Sequence, residues 1–316
     1  MELRTLGRSA LRLPPVMFGA NVFGWTADEA MSHRLLDTLL DAGLNAIDTA
    51  DVYSAWVPGH QGGESEAVIG RWLKQRGGRD RVVIATKVGM RMGSGDQGLS
   101  RDWILREVDA SLRRLQTDYI DLYQAHKDDP NTPFEETLGA FAELVKNGKV
   151  RVIGASNYSA ARLREALQTS ASLGLPRFES LQPLYNLMER HGFEDELQSV
   201  CLKEKVGVIS YYALAAGFLT GKYRSEADLS KSPRGANLAK YLDARGDRVL
   251  GALDMVSARL GVSSAQVAIA WTMTRPAMTA PIVSATNLDQ LSEIVAAATL
   301  RLDADALAQL EAASAS

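Results

Sequence analysis

Between Val82 and His126 the chain reads Val82-Val83-Ile84-Ala85-Thr86-Lys87, then a segment in which Ile104, Val108, Leu112 and Leu115 recur on one stripe, then Tyr119-Ile120-Asp121-Leu122-Tyr123-Gln124-Ala125-His126. The outer runs do not alternate cleanly, as expected of strands buried on both faces, and the middle segment has a helical period whose apolar stripe should lie on a sheet. Working outward, short apolar runs also occur at 15–19, 44–48, 150–154, 178–182, 206–210 and 279–284, which with 82–87 and 119–126 make eight. Each is followed by a longer segment, the pattern of repeated βα units and a parallel sheet. Eight such units predict a closed (β/α)8 TIM barrel, an α/β fold, rather than an open sheet. Residues 3–13, two short alternating segments around Gly7-Arg8-Ser9, read as a β-hairpin that lids the barrel floor.

Helix ends are marked as well. Thr26 with Glu29 and Thr132 with Glu135 fit capping boxes, Pro133 suits a first helical turn, and Gly43 and Gly148 suit C-terminal stops. One stretch breaks the rhythm: from Tyr212 to Gly246 the chain is rich in Gly, Lys, Arg and Ser and contains Pro233. Loops of that length inside a domain are usually functional or disordered. No linker or repeat divides the chain, so residues 1–316 are expected to form one domain.

With 35 Lys and Arg against 38 Asp and Glu, the formal charge is -3, and no long basic tract appears, so neither nucleic acid nor an anionic membrane is an expected partner. A small molecule is, and oligomeric state stays open. The one cysteine, Cys201, cannot form an internal disulfide, which fits a reducing, cytoplasmic location. No apolar signal core follows Met1, and the longest apolar stretch, Val208 to Leu219, is too short to span a bilayer.

Barrel enzymes keep their active sites at the C-terminal ends of the strands. Those ends are polar here: Asp48 closes the second strand with Tyr53 just beyond it, Lys87 closes the third and His126 the fourth. A tyrosine near its ordinary pKa of about 10 is a slow proton donor, and a nearby ammonium favours its phenolate, so Lys87 is expected to lower it. Asp48 would keep Lys87 charged and oriented, and His126 would donate to a carbonyl oxygen or share a proton with Tyr53. Such a cluster stabilises negative charge developing on oxygen, as carbonyl reduction by hydride requires. Singly, each residue has a structural reading as an ion pair or core histidine; four at three successive strand ends favour chemistry. Trp25 and Trp56 are the expected substrate wall. Gly93-Ser94-Gly95-Asp96-Gln97-Gly98 matches G-x-G-x-x-G but begins too far past its strand for a dinucleotide fingerprint. His33, His60, His126 and His191 show no metal-ligand spacing, and no G-x-S-x-G is present.

Several motifs carry a family resemblance. They are Gly43-Leu44-Asn45-Ala46-Ile47-Asp48-Thr49-Ala50 with Tyr53, Gly63-Glu64-Ser65-Glu66 followed by Ile69-Gly70, Ala85-Thr86-Lys87, and Ser111-Leu112 through Asp118-Tyr119-Ile120-Asp121-Leu122 to His126. Gly154-Ala155-Ser156-Asn157-Tyr158 and Gly217-Phe218-Leu219-Thr220-Gly221-Lys222-Tyr223 follow. In these the chain resembles the aldo-keto reductase superfamily nearly end to end, and the last motif is similar to its bacterial and potassium-channel β-subunit branches.

The resemblance implies an NAD(P)H-dependent oxidoreductase in which Tyr53 is the general acid, Lys87 and Asp48 tune it, and His126 positions the carbonyl. It places the nicotinamide carboxamide against Ser156, Asn157 and Gln182, the nicotinamide face against Tyr211, and the pyrophosphate along the backbone N–H groups of Leu214, Gly217 and Leu219. Gly19 and Asn21 join the cofactor-binding set, and Glu293 is matched to the adenine amine. Lys222 and Arg234, in the long loop, are candidates to clamp phosphate. At Ser284-Ala285-Thr286-Asn287-Leu288-Asp289-Gln290, where many relatives grip the adenosine 2′-phosphate, Ser284 and Gln290 stand in place of bases. The potassium-channel branch lacks those bases too and uses NADPH, so NADP(H) is the expected cofactor, with NAD(H) possible. Two other readings stay open: a cofactor-sensing regulatory subunit with little turnover, and a barrel lyase using Lys87 as a Schiff base.

Overall fold

The N-terminal hairpin pairs Arg4–Thr5 (β1) with Arg12–Leu13 (β2), antiparallel, and every other predicted strand joins one parallel sheet. A computed structural model describes residues 1–93, 95, 97–232 and 235–315, with the side chain of Ala236 left out; Arg234 and Pro233, and Ser94 and Asp96 of the glycine-rich stretch, lie outside it. The strands are Met17–Gly19 (β3), Ala46–Asp48 (β4), Val83–Val88 (β5), Ile120–Ala125 (β6), Val150–Ser156 (β7), Ser180–Gln182 (β8), Gly207–Val208 (β9) and Ile282–Val283 (β10). They lie in the order β10-β3-β4-β5-β6-β7-β8-β9. The ring closes between its two ends through a parallel bridge from Val208 to Met278 and a bond from Ile282 N to Ser210 O at 2.8 Å.

Register explains how the barrel fills. Asp48 pairs with Ala85, Ala85 with Leu122, and Lys87 with Gln124. Side chains alternate along a strand, so Ala46 and Asp48, Ala85 and Lys87, and Leu122 and Gln124 share the inward face. The lower members pack with Leu6 and Leu13 of the hairpin, Met17, Ile209 and Ile282 into an apolar plug. The hairpin therefore is the floor lid the sequence predicts.

Helices surround the sheet. On Arg101–Leu115, Ile104, Val108 and Leu115 are fully buried and Leu112 partly so, as the stripe requires. Glu64–Arg76 runs so close to it that a Cβ on Gly70 would stand 2.0 Å from the Arg114 carbonyl, which accounts for glycine in that motif. Gly43 and Gly148 follow Glu29–Asp41 and Phe134–Lys146 in left-handed backbone, as stops. Both capping boxes fail. Asp28, not Thr26, caps the first helix by accepting from Met31 N, because it stands one residue before the first turn. Thr132 Oγ1 instead donates to Asp129 at 2.7 Å, and Pro133 sits at the cap. The long stretch after β9 forms short 3-10 turns, Ala215–Thr220, Glu226–Lys231 and Gly235–Tyr241.

Cys201 is buried, and burial pushes its thiol up to about 12, so it is a packed, inert side chain. Among the described residues no helix is long and apolar enough to cross a membrane, and no His/Cys/Asp/Glu group is arranged to hold a metal ion.

Candidate active site

Asp48 ends β4, Lys87 lies near the end of β5, His126 follows β6, and Tyr53 sits in the loop after β4. The fold brings all four to one mouth. Lys87 Nζ, fully buried, donates to Asp48 Oδ2 at 2.6 Å, to the Thr49 carbonyl at 2.8 Å and to the Tyr53 hydroxyl at 3.0 Å. An ammonium has three donors, and all are used. The other Asp48 oxygen accepts from Gln182 Nε2 at 2.9 Å and from Gln124 Nε2 at 3.5 Å. The His126 ring stands edge-on to the Tyr53 ring, centroids 5.9 Å apart.

Burial and partners set the charges. Burial alone would push the Lys87 ammonium down, but Asp48 and then Tyr53 more than offset it, so Lys87 holds its proton more tightly than an ordinary lysine. The tyrosine corrects the sequence expectation. Burial raises the Tyr53 phenol, Lys87 pulls it back, Asp48 raises it again, and the balance lies above the usual phenol value. The sequence names Lys87 as a neighbour but says nothing of how deeply the hydroxyl is desolvated. Burial, and then the Lys87 charge, hold His126 well below the usual histidine range, so its ring is neutral near pH 7.

The other candidates are distributed around this cluster. Ser156 Oγ donates to the Gln182 carbonyl at 2.9 Å. Asn157 Nδ2 donates to the His126 carbonyl at 2.9 Å, and its Oδ1 accepts from Tyr211 OH at 2.9 Å. Gln182, read as a carboxamide contact, turns its own amide into the buried ring toward Asp48. The backbone N–H groups of Gly217 and Leu219, matched to a pyrophosphate, both donate to the Leu214 carbonyl, at 2.9 and 3.2 Å. They are therefore spent inside their own turn. Lys222 is exposed, and Arg234 lies outside the described residues.

Ser284 Oγ bonds Asn21 Oδ1 at 2.7 Å and lies 2.6 Å from where a Gly19 Cβ would be, so these three candidates adjoin one another. Gln290 Oε1 accepts from Thr286 N at 2.9 Å, and Glu293 accepts from Ser263. Trp25 and Trp56 meet edge to face, centroids 5.6 Å apart, and Trp56 meets Tyr53 in the same way at 5.8 Å.

Sequence reasoning missed Gln124 and a buried support behind Tyr53. Gln124 interrupts an apolar strand two residues before His126, a signal that period-two alternation makes readable. Glu66 accepts from Thr86 Oγ1 at 2.6 Å and from Arg114 Nε at 2.6 Å, and Arg114 also pairs with Glu107. Ser65 Oγ donates to the Ala20 carbonyl at 2.8 Å and lies 2.9 Å from Thr49 Oγ1, so the Glu64-Ser65-Glu66 motif braces the turn that carries Tyr53. Asp51 in that turn is fully buried; burial, then Glu66 and Glu107, push its carboxyl well above the usual range.

Comparison with known proteins identifies the family. A model of the aldo/keto reductase family matches residues 15–315. The chain is 35% identical to the oxidoreductase YrpG of Bacillus subtilis, over 98% of this chain and 95% of the relative. It is 35% identical to a probable voltage-gated potassium channel subunit beta of Oryza sativa, over 93% and 90%. To the L-glyceraldehyde 3-phosphate reductase of Escherichia coli it is 32% identical, over 98% and 92%. With the family model spanning nearly the whole chain and near-full-length relatives named as reductases and oxidoreductases, this chain belongs to the aldo/keto reductase family and is an oxidoreductase.

Proposed function

We propose that the enzyme reduces the carbonyl of an aldehyde or ketone with NADPH, accepting NADH less well, reversibly, and with Tyr53 as general acid. One observation carries this reading: the buried Lys87 ammonium bonds both Asp48 and the Tyr53 hydroxyl. Tyr53, raised by its burial, keeps its proton at neutral pH and is in the state a donor must be in. As that proton passes to the carbonyl oxygen, the phenolate left behind gains the full attraction of Lys87, which Asp48 holds charged. His126 is neutral and offers an N–H without adding charge, so the carbonyl oxygen takes two hydrogen bonds from fixed donors.

The loop after β9 suits a dinucleotide. Its backbone is left-handed at Ala215, Ala216 and Gly217, and Gly217, whose φ of +104 favours glycine, lies beside the Lys222 side chain. Tyr211 would hold the nicotinamide ring, Lys222 the phosphates, and Ser284, Thr286 and Gln290 the adenosine end. When bound, the reduced nicotinamide supplies the hydride.

Fluorescence titration with NADPH and NADH, followed by oxidation assays on a panel of aldehydes and ketones, tests the reading. Tight NADPH binding with carbonyl-dependent oxidation is expected. Binding with no oxidation across the panel, even in a single turnover, would instead assign a cofactor-sensing regulatory role.

A further inference from the structure

β7 enters the barrel with Arg151 and Val152 and leaves it with Ser156, so its two ends serve opposite faces of the ring. Beside the entering end, at the floor, lies a cavity of about 540 Å³, within the size range of small-molecule sites. Its walls come from the hairpin turn at Ser9 to Leu11, from Val145 near the end of the helix Phe134–Lys146, from the start of β7, and from residues 175–179 leading into β8. Leu11 and Val152 are only partly buried against the plug inside the barrel, and Val145 and Leu175 only partly against the core between sheet and helices. The cavity therefore follows the seam between two apolar clusters. Its apolar wall is aliphatic, with no aromatic side chain among the described lining residues.

The guanidiniums of Arg151 and Arg177 line the same cavity, and neither has an acid of its own. Arg151 Nη1 reaches Asp121 Oδ1 at 3.1 Å, but Arg79 takes the other oxygen of that carboxylate at 2.7 Å. Arg177 Nη2 donates to the Glu204 carbonyl at 2.9 Å. Its Nε lies 4.0 Å from Glu179 Oε1, too far for a hydrogen bond, and has no hydrogen-bond partner among the described residues. Glu179 is engaged by the hairpin, its Oε2 accepting from Arg8 N at 2.7 Å. Burial pulls the Arg177 guanidinium below its ordinary range, and Glu179 does not restore it. The Arg8 guanidinium stands 3.9 Å from Glu204 and adds to the positive field. Among these groups the four guanidiniums of Arg8, Arg79, Arg151 and Arg177 meet three carboxylates, of Asp121, Glu179 and Glu204. Buried N–H groups are nearly always paired, so an unpaired one on a residue that lines a cavity marks a place for an acceptor.

We propose that the floor cavity is a binding site for an aliphatic monocarboxylate, its carboxylate on Arg177 beside Arg151 and its chain along Leu11, Val145, Val152 and Leu175. The surplus positive charge suits a monoanion, a guanidinium fork matches carboxylate geometry, and walls without rings suit a saturated chain. The site stands at the other end of the barrel from Tyr53 and Lys87, so it neither needs nor displaces the cofactor, and it holds whether or not the mouth reduces carbonyls.

Isothermal titration of the intact chain with octanoate, with and without saturating NADPH, tests this. One octanoate per chain is expected, with an affinity that NADPH leaves unchanged. 1-Octanol, which keeps the chain and lacks the charge, should bind at least about tenfold more weakly, the usual worth of hydrogen bonds to a charged group. Arg177→Gln should weaken octanoate by a similar factor. Leu175→Trp keeps the guanidinium, fills the cavity and should weaken octanoate as well, each variant being checked for folding by its melting temperature. The site is overturned if octanoate does not bind the wild type, if octanol binds as tightly, or if either folded variant binds octanoate as the wild type does. Binding abolished by NADPH overturns it too, by placing the carboxylate at the mouth. So does failure of both variants to fold, since the cavity wall would then serve the core.

Discussion

The floor and the mouth of the barrel are built by the same strands, two residues apart, and they obey different rules. At the floor Ala46, Ala85 and Leu122 pack with Leu6 and Leu13 of the hairpin. What matters there is filled volume. One step up, Asp48, Lys87 and Gln124 are as deeply buried as the apolar layer beneath them. A buried charge costs several kcal/mol unless paired, so each polar atom there needs a particular partner at a particular distance. The mouth is thus the more demanding layer, carrying the chemistry, while the floor supplies the rigid ring on which it is held.

That contrast can be broken or sharpened by substitution. The largest effect should come from Tyr53→Phe, which removes one oxygen and leaves the packing. Turnover should fall about 10²- to 10⁴-fold, the usual worth of a general acid, with NADPH binding and melting temperature nearly unchanged. Turnover like that of the wild type would remove Tyr53 from the reaction. Next is Lys87→Met, which strands Asp48 in the interior. Urea unfolding should show a loss of about 3–5 kcal/mol together with lost activity, so that at the mouth stability and chemistry fail jointly. At the floor they should separate: Leu122→Ala should cost about 2–5 kcal/mol of stability while kcat of the folded enzyme is retained. A large fall in kcat would show that the two layers are not independent.

The smallest expected effect is a pH slope. His126 is held neutral in the folded protein, whereas the unfolded chain takes up its proton below about pH 6.5. The unfolded state then binds more protons, so stability should decline on acidification from that pH, by at most about 1.4 kcal/mol per pH unit. Comparing denaturant unfolding of the wild type and His126→Gln between neutral and mildly acid pH isolates this contribution. Equal slopes would mean that His126 is not kept neutral by the fold.

Much of the mouth was legible because its residues end consecutive strands. A buried parallel strand is apolar along its length, so a charge at its C-terminal end stands out, as Asp48, Lys87 and His126 do. The eight strands were legible for the same reason, although the structure shortens most of them. Local capping was less so: Thr26 and Thr132 satisfy the pattern, yet Asp28 caps the first helix and Pro133 stands at the cap of the other with no side-chain bond, because the angle at which the chain enters a helix decides which oxygen reaches which N–H. Gln182, which the resemblance sets against the nicotinamide carboxamide, turns its amide inward toward an aspartate 134 positions away, a contact that chain order does not reveal. The Glu66–Arg114–Glu107 support was missed because its members lie on neighbouring helices, where charges ordinarily read as solvated faces.

Sequence periodicity alone determined the parallel barrel, its hairpin floor and the strand ends that bear the tetrad, since burial on both faces leaves its mark in composition. Only the tertiary structure decided the charge states and the contacts each buried polar group makes. How far a hydroxyl is desolvated and which oxygen an ammonium reaches both depend on neighbours that chain order does not make adjacent.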